Sequence, residues 1–137
     1  IGIYGWSYGG FLAANCLFEG NDVFKTAVAA APVSNWNLYN NIYTERYMRT
    51  PQENPKGYNN YNPNVLSKNL KGNLLLIHGT ADDNVHFQHS IQLINALNAA
   101  NKTYQLYIFP DAEHGTTGKK MRYDLYHKIY LFLKEKL

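Results

Sequence analysis

Short apolar runs alternate with stretches of helical periodicity along this chain. Ile1–Tyr4 reads as a buried strand. Tyr8–Phe18 follows, with Phe11, Ala14, Cys16 and Phe18 spread round a helix that is apolar on most sides, the pattern of a buried helix. Gly20-Asn21-Asp22 stops it. Thr26–Ala31 has no polar alternation, as expected of a strand covered on both faces, and Pro32 ends it. Leu74–His78 is a third strand. Gln88–Ala99 carries Ile91, Leu93, Ile94 and Leu97 at helical spacing. Tyr104–Phe109 is a fourth strand ended by Pro110, and a last helix over 118–136 sets Met121, Leu125, Ile129, Phe132 and Leu133 on one face. Residues 35–64 are rich in Asn and Tyr and hold Pro51, Pro55 and Pro63, which predicts mostly loop with short helical turns near Trp36–Asn40 and Tyr43–Met48. The alternation implies right-handed βαβ units: an α/β fold, a three-layer α/β/α sandwich on about four parallel strands.

Composition narrows the class. The 137 residues are 45% hydrophobic and 17% charged, the balance of a folded domain and not of a disordered chain. That length allows one domain. No apolar stretch is long enough for a membrane-spanning helix. A net charge of +3 with dispersed Lys and Arg gives no nucleic-acid or membrane-surface signature. The single cysteine, Cys16, excludes an internal disulfide and a multi-cysteine metal site. Residue 1 is Ile and the first strand starts without a preceding turn, which suggests a piece of something longer.

Three loops carry candidate chemistry. Gly5-Trp6-Ser7-Tyr8-Gly9 is a G-x-S-x-G between an apolar strand and a helix. A serine on so sharp a turn has its Oγ exposed above the strand ends, and the next backbone N–H points at the reacting carbonyl oxygen. Gly5 and Gly9 are expected to remove Cβ atoms that would clash there. Gly79-Thr80-Ala81-Asp82-Asp83-Asn84 follows the third strand, where ligands gather in open α/β sheets. One of Asp82 and Asp83 is expected to orient a histidine and the other to cap the next helix. Asp111-Ala112-Glu113-His114-Gly115 follows the fourth strand, and His114 is the candidate general base. His78 reads as a packed core histidine. His86 and His89 sit at a helix start, without the H-E-x-x-H pattern of a metal site, and His127 reads as a surface residue of the last helix. The order Ser7, Asp, His114 is that of the α/β-hydrolase triad. In such a triad His114 takes the Ser7 proton, Ser7 attacks a carbonyl, and water hydrolyses the acyl-enzyme.

Gly5–Gly10, Ala31–Trp36, Tyr43–Met48, Leu76–Gln88 and Glu113-His114-Gly115 together resemble the prolyl oligopeptidase family of serine peptidases, and within it the dipeptidyl peptidase IV branch. The resemblance runs over nearly the whole chain. It implies that residues 1–137 are the C-terminal part of a peptidase catalytic domain, the later half of an α/β-hydrolase fold. It implies Ser7 as nucleophile, Asp82 as orienting acid, His114 as base and the Tyr8 N–H as one oxyanion donor. Val33, Trp36, Tyr39, Tyr43, Val85 and the Tyr8 ring would then line a pocket for proline or alanine at the second substrate position. Rigid aromatic walls suit a flat proline ring. Asn84 would bind the carbonyl before that residue, and Arg46 would support the site for the substrate amino terminus.

The resemblance further implies peptide substrates with penultimate Pro or Ala, and a homodimer of the full-length protein formed partly through the last helix. It implies an exported location, and neither metal nor organic cofactor. A second oxyanion donor, the acidic residues for the substrate amino terminus and the first strands of the sheet would lie upstream, so the 137 residues alone are expected to be nearly inactive. Two alternatives stay open: another peptidase of the family, such as an acylaminoacyl peptidase, and a noncatalytic binding relative.

Overall fold

A computed structural model describes all residues, 1–137. Four strands, β1 (Gly2–Trp6), β2 (Thr26–Ala30), β3 (Asn73–Gly79) and β4 (Gln105–Phe109), form one parallel sheet in the order β1-β2-β3-β4. The helices are α1 (Tyr8–Glu19), α2 (Asn41–Met48), α3 (Pro55–Asn60), α4 (Pro63–Leu66), α5 (Gln88–Ala99) and α6 (Lys119–Lys136), with short 3₁₀ turns at Trp36–Leu38 and Ser67–Asn69.

Alternation along the central strands builds two cores. Ala27, Ala29, Leu74 and Leu76 face one way and pack with Leu17 and Phe18 of α1 and Leu93 and Leu97 of α5. Val28, Ala30, Leu75 and Ile77 face the other way, against Leu125, Ile129 and Phe132 of α6. This is the expected α/β/α sandwich. The small alanines of β2 let helices approach the sheet on both sides, and every residue of that strand is buried. The face of α6 is the one the periodicity indicates. α1 departs from expectation. It buries Gly10, Ala13, Ala14, Leu17 and Phe18, but Leu12 stays exposed, so it is one-sided and not surrounded.

The Asn-rich segment is more ordered than its prolines suggest. Besides α2 it holds α3 and α4, each opened by an Asn-Pro pair. The Asn54 side-chain oxygen accepts from Gly57 N–H and that of Asn62 from Val65 N–H, both at 3.1 Å, while Pro55 and Pro63 occupy the first helical position. Asn caps spare backbone donors, and Pro there loses no helical bond. Asn35 and Asn40 cap the 3₁₀ turn and α2 in the same way. The segment is pinned by Tyr58, which is buried and donates its hydroxyl to the Arg49 carbonyl at 2.7 Å.

Candidate active site

β1 runs directly into the serine turn. Ser7 has φ 58° and ψ −117°, backbone geometry that a non-glycine residue adopts only under strain. Its N–H donates to the Ala30 carbonyl of β2 at 2.9 Å, and its carbonyl accepts from Phe11 N–H at 3.0 Å, which fixes the turn from both sides. A Cβ on Gly5 would run into the Gly9 carbonyl, and one on Gly10 would stand 2.8 Å from the Ala30 carbonyl oxygen. Gly9, expected to be tight, has open space where its Cβ would go. The glycine required for close helix packing is therefore Gly10, because α1 crosses β2 at that point and Gly9 faces outward. Tyr8 opens α1, so no carbonyl lies one turn back for its N–H to meet.

The loops after β3 and β4 are fastened together. Thr80 N–H donates to the Phe109 carbonyl at 3.0 Å, Ala81 N–H to the Ala112 carbonyl at 3.1 Å, and Asp111 N–H to the Thr80 hydroxyl at 2.8 Å. Gly79 permits this, since a Cβ there would strike the Ala112 carbonyl. The loops bring Asp82 to His114, with Asp82 Oδ2 2.8 Å from His114 Nδ1. Asp82 Oδ1 accepts from the N–H groups of Asn84 and Val85, at 3.0 and 2.8 Å. Burial alone would push this carboxyl up. The bonds from His114, His78 and the Asn84 backbone outweigh burial and hold it well below the usual carboxylate range. Asp82 thus bonds to a histidine and caps its own loop. Asp83 is exposed and does neither, because α5 starts only at Gln88 and has no side-chain cap.

Ser7 and His114 stand beyond the carboxyl ends of β1 and β4, on one rim of the sheet. The Trp6 ring meets the His114 ring edge-on at 6.3 Å between centroids. Ser7 Oγ and His114 are not hydrogen-bonded to each other here; such bonds commonly tighten only when substrate binds.

Beside Ser7 lies a cavity of about 470 Å³ with the aromatic rings of Tyr8, Phe11, Trp36, Tyr43, Tyr47 and Tyr61 in its walls, together with Met48. Trp36 is the hub. It stacks with Tyr43 at 6.1 Å and meets Tyr8, Phe11 and Tyr39 at 5.3 to 5.9 Å. Val33 and Val85 are buried behind Trp36, with Tyr58, and support the wall from the rear. Tyr39 donates its hydroxyl to Asn84 Oδ1 at 2.7 Å. Arg46 is exposed, with its guanidinium 5.7 Å from the Tyr47 ring centre. Phe11, Tyr47, Met48 and Tyr61 were not among the expected lining residues. Phe11 sits one turn after Tyr8, and Tyr47 one turn after Tyr43, a spacing that carried the signal. Tyr61, between α3 and α4, offered none.

His78 is the packed histidine that its place at a strand end suggests, and His127 is exposed, stacked on Tyr123. His89 is fully buried: its Nδ1 accepts from Ser34 N–H at 3.1 Å, and the Ser34 hydroxyl donates to the His89 carbonyl at 2.6 Å. Burial, aided by the nearby His78 and His86, pushes His89 down to about 4.

The chain is 44% identical to dipeptidyl peptidase 4 of Bos taurus over 138 aligned positions, covering 98% of this chain and 18% of that protein. It is 41% identical to dipeptidyl aminopeptidase A of Saccharomyces cerevisiae, covering 98% of this chain and 15% of the relative. The chain thus spans less than a fifth of the length of these curated relatives. Among solved structures, dipeptidyl peptidase 4 of Porphyromonas gingivalis superposes with a TM-score of 0.96 at 44% identity, over 100% of this chain and 20% of that one. The profile of the prolyl oligopeptidase family matches residues 1–137. The chain belongs to the prolyl oligopeptidase family.

Proposed function

We propose that these residues form the C-terminal part of the catalytic domain of a serine exopeptidase that releases dipeptides with penultimate Pro or Ala from peptide amino termini. Ser7 attacks the scissile carbonyl, His114 takes its proton and returns it to the leaving amine, and Asp82 holds the imidazole in the required tautomer. The Tyr8 N–H stabilises the developing oxyanion. Trp36, Tyr43 and the Tyr8 ring make the pocket for the penultimate side chain, while Val33 and Val85 back Trp36 and Tyr39 packs against it without lining the cavity. Asn84 donates to the preceding carbonyl, and Arg46 supports the site of the substrate amino terminus. The observation that carries this reading is the 2.8 Å bond between Asp82 and His114 on the same rim as the strained Ser7 turn.

The relatives' names support the dipeptidyl reading, and the ring-lined cavity beside Ser7 supports a prolyl side chain. By the same resemblance the protein works after export and as a homodimer. The exposed Tyr123, Tyr126, Tyr130 and Leu131 of α6 support a contact there. The test is a substrate profile of the full-length protein containing this chain. Release of p-nitroaniline from Gly-Pro-p-nitroanilide, with Gly-Ala next and acetyl-Ala negligible, is expected. Preference for the acetylated substrate would overturn the dipeptidyl assignment.

A further inference from the structure

A second histidine stands against Asp82. His78, at the end of β3, is 1% exposed, and its Nε2 lies 3.2 Å from Asp82 Oδ2 and 2.8 Å from the Val85 carbonyl oxygen. Its Nδ1 lies 2.6 Å from the hydroxyl of Ser90, itself fully buried. Both neighbours of Nε2 are acceptors, so Nε2 carries the hydrogen and the Ser90 hydroxyl donates to Nδ1. The Phe87 ring closes on the imidazole edge-on at 5.5 Å. Tautomer and rotamer of His78 are therefore both fixed. Packing alone would ask only for an apolar ring here, yet every polar atom of this ring is engaged, and one points at the oxygen that binds His114.

We propose that His78 is a positioning residue for the Asp82–His114 pair, fixing the plane of the carboxylate and sharing its charge. The proposal rests on the reading of Ser7, Asp82 and His114 as a triad. With Oδ1 held by two backbone N–H groups, and Oδ2 bonded to His114 and 3.2 Å from the His78 N–H that Val85 shares, the carboxylate cannot rotate without losing these contacts. The charged and titratable groups around it are His78 from β3, His114 from the loop after β4, His86 and His89 towards α5, and the exposed Asp83 and Glu113. Withdrawing the His78 donor leaves more of the carboxylate charge on His114 and so favours its protonated form.

The test is the rate at which diisopropyl fluorophosphate labels Ser7 in the full-length protein, followed against pH. Labelling of the wild type at Ser7, with an acid limb, checks the triad reading independently of this proposal. His78→Leu is expected to label about 10- to 100-fold more slowly, the loss of one bond to a charged group, and its acid limb is expected to move to higher pH. His78→Gln, whose amide nitrogen can stand where Nε2 stands, restores the limb and most of the rate. Should His78→Leu lack a cooperative melting transition, His78→Asn, whose amide falls short of Asp82, decides in the same terms. An acid limb left in place, or no rescue by glutamine, overturns the proposal.

Discussion

His114 Nδ1 and Asp82 Oδ2 meet at 2.8 Å across 32 residues of chain. The meeting depends on Gly79 and on three hydrogen bonds that fasten the β3 loop to the β4 loop. Two strands that neighbour each other in a parallel sheet end on the same rim, so the residues that follow them come together without a long excursion.

Asp82 links the proposed triad to acid stability. Its carboxyl is held below the range it has in the unfolded chain. The stabilisation is complete above about pH 4, where an unfolded aspartate is ionised, and is lost as pH falls below that. Asp82→Asn is expected to melt at lower temperature than the wild type at neutral pH, with the difference shrinking in acid. Its kcat is expected to fall by about 10⁴-fold, as when the orienting acid of a triad is neutralised. Thermal melts from pH 2 to 8 and steady-state kinetics check both.

His89 contributes in the opposite chemical sense. It is buried neutral and pushed down to about 4, while an unfolded histidine titrates near 6.5. Below about pH 6.5 the unfolded chain takes up the proton first, so stability declines from there to about pH 4 by on the order of 3 kcal/mol. His89→Asn, which can still accept from Ser34 N–H, is expected to lose that acid sensitivity. Melting temperature against pH for both proteins measures it.

The glycines of the serine turn differ in kind. Gly5→Ala and Gly10→Ala are expected to prevent or severely weaken folding, because backbone oxygens occupy the space. Gly9 lies in α1 with room for a methyl, so Gly9→Ala is expected to stabilise by about 0.5–1 kcal/mol. Chemical denaturation of the three variants separates them.

How much of this was legible in the sequence follows the physics of each element. The strands were, because Ala27–Ala30 and Leu74–Ile77 are apolar runs that only a doubly covered sheet accommodates. The α6 face was, through its helical period. α3 and α4 were not: Pro55 and Pro63 read as breakers, although an Asn immediately before each makes them starters. Gly9 and Gly10 cannot be told apart without knowing which side of α1 meets β2. The roles of His78 and His89 depend on Ser90, Val85 and Ser34, partners that become neighbours only once β3 and α5 pack.

The Tyr39 hydroxyl fixes the orientation of Asn84 at 2.7 Å. Tyr39→Phe keeps the ring and frees the amide. Losing one neutral bond of this kind is expected to lower kcat/KM for Gly-Pro-p-nitroanilide about 2- to 10-fold. Steady-state kinetics with a substrate lacking the carbonyl that Asn84 is proposed to bind should show little change.

The account turns on whether Ser7 is a nucleophile activated by His114, and peptide mapping of the full-length protein after treatment with diisopropyl fluorophosphate addresses this directly. The expected result is one adduct, on Ser7, absent from Ser7→Ala and formed at least ~10³-fold more slowly in His114→Ala. An adduct on another residue, or undiminished labelling of Ser7 without His114, would contradict the account.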